Sequence, residues 1–105
     1  MSTKKKSDTI KFLEKYAGGE LTIGRLLESI RLDENLTQAI FAKKLKISKS
    51  HLCDIEKGRK FLSVSRAAQF AAQLGYSQEQ FVRLSLQDEV SRSGLKFKVK
   101  LDKAA

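Results

Sequence analysis

Proline does not occur in this chain, and cysteine and histidine occur once each. A sequence without proline fits a mostly helical globule better than a turn-rich β-sandwich. Cys53 has no partner for an internal disulfide, and together with His51 it falls short of the four ligands of a structural zinc site. No metal or cofactor is therefore expected, and a reducing cytoplasm is the simplest setting. Nothing approaches the roughly 18 consecutive apolar residues of a membrane span. The lysine-rich start, Met1 to Asp8, is not followed by an apolar stretch of about seven residues before Gly18-Gly19, so no export signal is expected and Lys4 to Lys6 read as a solvated end. Catalytic signatures are missing too. There is no Gly-x-Ser-x-Gly, no phosphate-binding loop, no paired carboxylates and no metalloprotease spacing, so no enzymatic activity is expected.

What the sequence has in excess is positive charge. Twenty-one Lys and Arg stand against twelve Asp and Glu, giving +9 at pH 7 and a pI near 9.9. Such a field draws polyanions, which puts nucleic acids and acidic proteins first among partners. At 105 residues the chain is sized for one hydrophobic core.

Apolar spacing sets out the elements. Ile10, Leu13 and Ala17, with Phe12 and Tyr16 beside them, predict a short N-terminal helix from Asp8 to Ala17 that Gly18-Gly19 stops. Thr22 is a fitting N-cap for a first main helix, whose Ile23, Leu26, Leu27 and Ile30 share one face, ending near Asn35. Thr37 caps a second helix with Phe41, Ala42 and Leu45 inward. Ser48 caps a third with Leu52 and Ile55 inward and Gly58 just past its end. Val64, Ala67, Ala68, Ala71 and Leu74 trace a fourth helix ended by Gly75. Ser77 and Gln80 form a capping-box pair for a fifth, which carries Phe81, Val82, Leu84 and Leu86 to about Ser93-Gly94. The period then changes to two. Leu95, Phe97, Val99 and Leu101 alternate with Lys96, Lys98, Lys100 and Asp102, which predicts a C-terminal β-strand.

The helices over Thr37 to Gly58 are too short to be stable alone, so their value lies in their geometry. Small Ala42 at the crossing, apolar Ile47 in the turn, and inward Leu52 and Ile55 describe a helix-turn-helix. Its second helix would present Lys49, Ser50, Cys53 and Asp54 outward. The pattern Thr37-Gln38-x-x-Phe41-Ala42-x-x-Leu45-x-Ile47-Ser48-x-Ser50-x-Leu52-x-x-Ile55-Glu56-x-Gly58 resembles the Cro/cI-type (XRE-like) helix-turn-helix regulators over about Leu21 to Tyr76. The resemblance implies an all-α, lambda-repressor-like fold of five helices. It also implies that Gln38 touches a phosphate and sometimes a base, that Lys49, Ser50 and Asp54 face base edges, and that Lys57, Arg59 and Lys60 lie near the backbone. Ser48 and His51, at the start of the recognition helix, join this DNA-binding set. Arg31 and Glu56 are placed in contact as a structural pair. Two departures concern the loops: Lys46 stands where the family usually has glycine, and Phe61-Leu62 replace a usual proline.

Each of these residues also has a plainer reading. Between Arg31 and Lys60 eight basic residues face four acidic ones, which by itself describes a solvated surface. Lys49 suits guanine O6 or N7 and Asp54 suits cytosine N4, yet Asp54 equally suits an ion pair with Lys57 or Lys49 along the helix. His51 fits solvent as well as phosphate, and Cys53 reads as a spectator thiol.

The organisation expected is an N-terminal extension over residues 1–20, the helix-turn-helix domain over 21–76, the fifth helix over 77–94, and a dimerisation or partner strand over 95–105. Leu95, Phe97, Val99 and Leu101 would pair with a second copy or with a partner's sheet. The function expected is a dimeric repressor that binds an inverted-repeat DNA operator in a bacterial cytoplasm, at the nucleoid. A resemblance to HigA-like antitoxins suggests a toxin partner and an autoregulated operon, and the Phe12-Leu13-Glu14, His51 to Gly58 and Gly94-Leu95-Lys96 stretches resemble a recurring subgroup of small bacterial regulators. The alternatives are an autonomous or phage-type repressor and an adaptor that uses the helices only for protein contact.

Overall fold

Five hydroxyl side chains mark where the helices begin. The structure, a computed structural model, describes residues 21–104. The helix expected over Asp8 to Ala17 lies outside the described residues. The elements are α1 (Ile23–Asp33), α2 (Gln38–Leu45), α3 (Lys49–Glu56), α4 (Val64–Leu74) and α5 (Gln78–Arg92). Thr22, Thr37, Ser48, Ser63 and Ser77 each accept from the backbone N–H three residues on, at 3.0–3.3 Å. Each such cap is worth about 1 kcal/mol, because it satisfies a donor that the helix itself leaves free. Ser77 forms only half of the expected box: Gln80 Oε1 is buried without a hydrogen-bond partner, so it does not return a bond to the Ser77 N–H.

The apolar faces converge on one core. Leu26 and Leu27 from α1, Phe41 and Leu45 from α2, Leu52 and Ile55 from α3, Phe70 from α4, and Phe81 and Leu84 from α5 are all fully buried. Burial of a side chain of this size contributes about 1.5–3 kcal/mol, which is what holds two helices of eight residues in place. α4 keeps the expected face, with Ala67, Ala71 and Leu74 buried, and departs from expectation at its first residue. Phe70 is buried, whereas Val64, expected inward, is exposed.

α1 and α3 cross with their backbones in close approach. A Cβ added at Gly24 would overlap the Ile55 carbonyl oxygen, so this glycine is required by space and not by its torsions. α5 anchors the opposite side. Asp88 Oδ2 accepts from the Ile23 N–H at 3.1 Å, which gives α1 a second N-terminal acceptor besides Thr22. Burial raises the Asp88 pKa, against the opposing pull of that hydrogen bond and of Arg92.

The C-terminal strand expected from the alternation at Leu95 to Leu101 is not formed: the described residues contain no strand. Among the described residues the segment has no neighbouring strand with which to build a ladder. A side chain substitutes for one. Gln87 Nε2 donates to the Phe97 carbonyl at 2.9 Å, and Gln87 Oε1 accepts from the Val99 N–H at 2.8 Å. Leu95 and Phe97 remain exposed, while Val99 and Leu101 are half-buried. The period-two pattern therefore describes an irregular segment held at one glutamine on α5.

Candidate nucleic-acid interface

The turn between α2 and α3 decides how α3 is presented. Thr37 caps α2, and Lys46 ends it with φ 62° and ψ 40°, the left-handed conformation that glycine usually supplies. The departure at Lys46 thus keeps the backbone geometry and carries the strain of a Cβ there, about 1 kcal/mol. Lys46 N–H donates to Lys43 O at 3.1 Å and Ile47 N–H to Ala42 O at 3.0 Å, closing the turn. Ile47 packs against the core, and Ser48 then opens α3. The Ser48 hydroxyl oxygen thereby accepts from the His51 N–H, which leaves its O–H free to donate.

Leu52 and Ile55 hold one side of α3 in the core, so its other side faces outward. Lys49 and Ser50 are exposed in its first turn, and His51, Cys53 and Asp54 are half-buried. Lys49, Lys57 and Lys60 are exposed and form no ion pair among the described residues.

The C-terminal end of α3 is locked by a buried acid. Glu56 is 6% exposed. Its Oε2 accepts from Arg31 Nε at 2.8 Å and its Oε1 from Arg31 Nη2 at 3.1 Å, while Arg31 Nη1 donates to Leu36 O at 3.1 Å. The expected Arg31 and Glu56 pair is present and bidentate. The hydrogen bond to Glu56 raises the Arg31 pKa above its ordinary value. Gln38 joins them, its Nε2 donating to Glu56 Oε1 at 2.9 Å. In this state the Gln38 amide N–H serves the network that ties α1, α2 and α3 together.

Asp54 has a different partner from either of those considered in the sequence. It pairs with Arg59, Oδ1 to Nε at 2.9 Å, and not with Lys49 or Lys57. The loop after α3 makes this possible. The N–H groups of Arg59 and Lys60 both donate to the Asp54 carbonyl, at 2.8 and 3.2 Å, which turns the chain back over the helix end. Arg59 Nη2 also lies 3.7 Å from Cys53 Sγ. The bond to Asp54 is the main reason the Arg59 pKa is raised. The guanidinium is therefore held against Asp54 and Cys53 on the outward face of α3.

Two features of the site were not anticipated from the sequence. Gln38 as a third member of the Arg31–Glu56 pair left no pattern to find, since its partner is eighteen positions away. Gly24 did leave a signal, a glycine inside the apolar stripe Ile23 to Leu27.

No described helix is long and apolar enough to cross a membrane. The family model described as "Helix-turn-helix domain" matches residues 22–84, which contain α1 to α4 and the first part of α5. A similar protein is the "Immunity repressor protein" of Bacillus phage phi105, 38% identical over 55 residues. The match covers 52% of this chain and 38% of that repressor's length. No solved structure gives a significant match. A capped pair of short helices joined by a left-handed turn, with the second helix exposed along one side and matched across its whole length by the family model, establishes that the chain belongs to the helix-turn-helix domain family.

Proposed function

We propose that this protein is a sequence-specific, DNA-binding transcriptional repressor of the phage type, with α3 as the helix that enters the major groove. The observation that carries this reading is the contrast between the two sides of α3. One side is fixed by Leu52, Ile55 and Glu56, and the other offers Lys49 and Ser50 with no side-chain partner among the described residues that would compete with a base edge. Lys49 supplies a donor for guanine O6 or N7. Lys57, Arg59, Lys60 and His51 supply phosphate contacts. Asp54 acts first by holding Arg59, and Gln38 and Ser48 contribute through Glu56 and the His51 N–H, which makes them orienting groups.

The similarity to a phage immunity repressor favours an autonomous repressor over an antitoxin as the leading version of this role. The antitoxin reading keeps one structural point in its favour. Leu95 and Phe97 are exposed among lysines, and a second protein chain would find apolar area there. The same surface serves homodimer formation, which an inverted-repeat operator requires. In either version the described domain needs no catalytic group.

The experiment is selection of bound duplexes from a random pool by the full chain. The reading predicts enrichment of an inverted repeat with half-sites about one helical turn apart, ~34 Å. A pool recovered without sequence preference refutes it. Sedimentation of the chain truncated after Gly94 separates the two versions of the tail: loss of the dimer assigns the tail to self-association, and a retained dimer leaves it to a partner.

A further inference from the structure

The loop that follows α3 carries Arg59 and Lys60, and α5 grips it from outside. Arg92 Nη2 donates to the Gly58 carbonyl at 3.3 Å, and its guanidinium sits 4.1 Å from the centroid of the Phe61 ring. Seven residues earlier on the same helix, and so on the same face, Ser85 Oγ donates to the Leu62 carbonyl at 2.6 Å. A cavity of about 330 Å³, lined by Phe61, Ser63, Asp88 and Glu89 among others, stands beside these attachments. Phe61 is 64% exposed, so the core does not fix it. Leu62, which is buried, marks where the core takes over the loop.

We infer that Arg92 is a positioning residue for DNA binding. It clamps residues 58–61 against α5, so that Arg59 and Lys60 stand at the end of α3 where the phosphates flanking the groove would lie. This inference rests on the DNA-binding reading above, and it adds a residue that need not touch DNA. Two parts of the chain then set the loop: the Asp54 carbonyl from inside, through the N–H groups of Arg59 and Lys60, and Arg92 from outside. Because Arg92 is the last residue of α5, the clamp also adjoins the segment that Gln87 holds.

The competing explanation is that Arg92 acts by its own charge on a phosphate. Removal of the neutral ring distinguishes the two. Arg92→Ala, Phe61→Ala and the double variant are compared in the full chain on a selected operator duplex and a scrambled one. Amide hydrogen exchange is followed at Arg59, Lys60, Leu52 and Phe70.

The clamp predicts that each single variant weakens both duplexes by about three- to tenfold, since a stacked guanidinium and its hydrogen bond are modest terms. It further predicts that the double variant is no weaker than the stronger single one, as expected for two residues acting as a unit. Arg59 and Lys60 should exchange faster while Leu52 and Phe70 are unchanged. If Arg92→Ala weakens binding and Phe61→Ala changes neither affinity nor exchange, the charge alone acts and the clamp is refuted. If the parent chain binds no duplex, the DNA-binding reading fails and exchange at Arg59 and Lys60 decides the clamp alone: faster supports it, unchanged overturns it.

Discussion

Arg31 meets Glu56 through two parallel N–H···O bonds of 2.8 and 3.1 Å, joining α1 to the last residue of α3, with the Glu56 side chain only 1% exposed. A bidentate geometry fixes orientation as well as distance, so the pair sets the angle at which α3 leaves the core. Its net contribution to stability is small, because both charges lose water. Removal of one partner is another matter. Arg31→Ala leaves the Glu56 carboxylate buried with Gln38 as its remaining side-chain donor, and is expected to cost about 3–5 kcal/mol. Thermal unfolding measures this, and a variant that melts with the parent would show that the pair does not hold α3.

Lys46 is the strained point of the turn, with φ 62°. Lys46→Gly removes the Cβ that opposes this torsion and is expected to stabilise the fold by about 0.5–1 kcal/mol, the gain being reduced by the greater freedom of glycine in the unfolded chain. Chemical denaturation checks the sign. A loss of stability would mean that the lysine side chain contributes more than its backbone costs.

Asp88 gives a pH dependence. Burial raises its pKa above the ordinary aspartate value of 3.8, so the folded state holds this proton more tightly than the unfolded chain does. Its contribution is therefore fully present below 3.8 and declines as pH rises through the raised folded value. Asp88→Asn keeps a carbonyl oxygen for the Ile23 N–H and cannot ionise, which makes it the reference. The unfolding free energy of the parent minus that of the variant should fall as pH climbs from 3.8 and then level off. A difference that rises over the same range would reverse the assignment.

Much of this architecture was legible in the sequence because it is local. Thr22, Thr37, Ser48 and Ser77 announce helix starts through bonds that span three residues, and the i, i+3, i+4 spacing of Ile23, Leu26, Leu27 and Ile30 names the buried face of α1. The left-handed torsion at Lys46 left a sign in the sequence, since Lys46 stands where the resembling family usually has glycine. What escaped depends on partners far along the chain. Gln38 and Glu56, Asp88 and Ile23, and Arg92 and Gly58 meet only once the helices have packed. The alternation at Leu95 to Leu101 was misleading for the same reason: period two records which side chains share a side, and a strand also needs a second backbone. The spacing of Val64 to Ala67 and Ala71 points it inward, yet it is the first residue of α4 and stands exposed at the helix end.

The central claim is that α3 reads bases with Lys49. The most direct test measures the affinity of the parent and of Lys49→Ala for the selected operator and for a variant operator changed at one base pair, at matched salt. The account predicts that the parent discriminates between the two duplexes by ~1–3 kcal/mol at the base pair that Lys49 contacts, and that Lys49→Ala loses this discrimination while still binding both. Equal discrimination by parent and variant at every base pair of the half-site would contradict it.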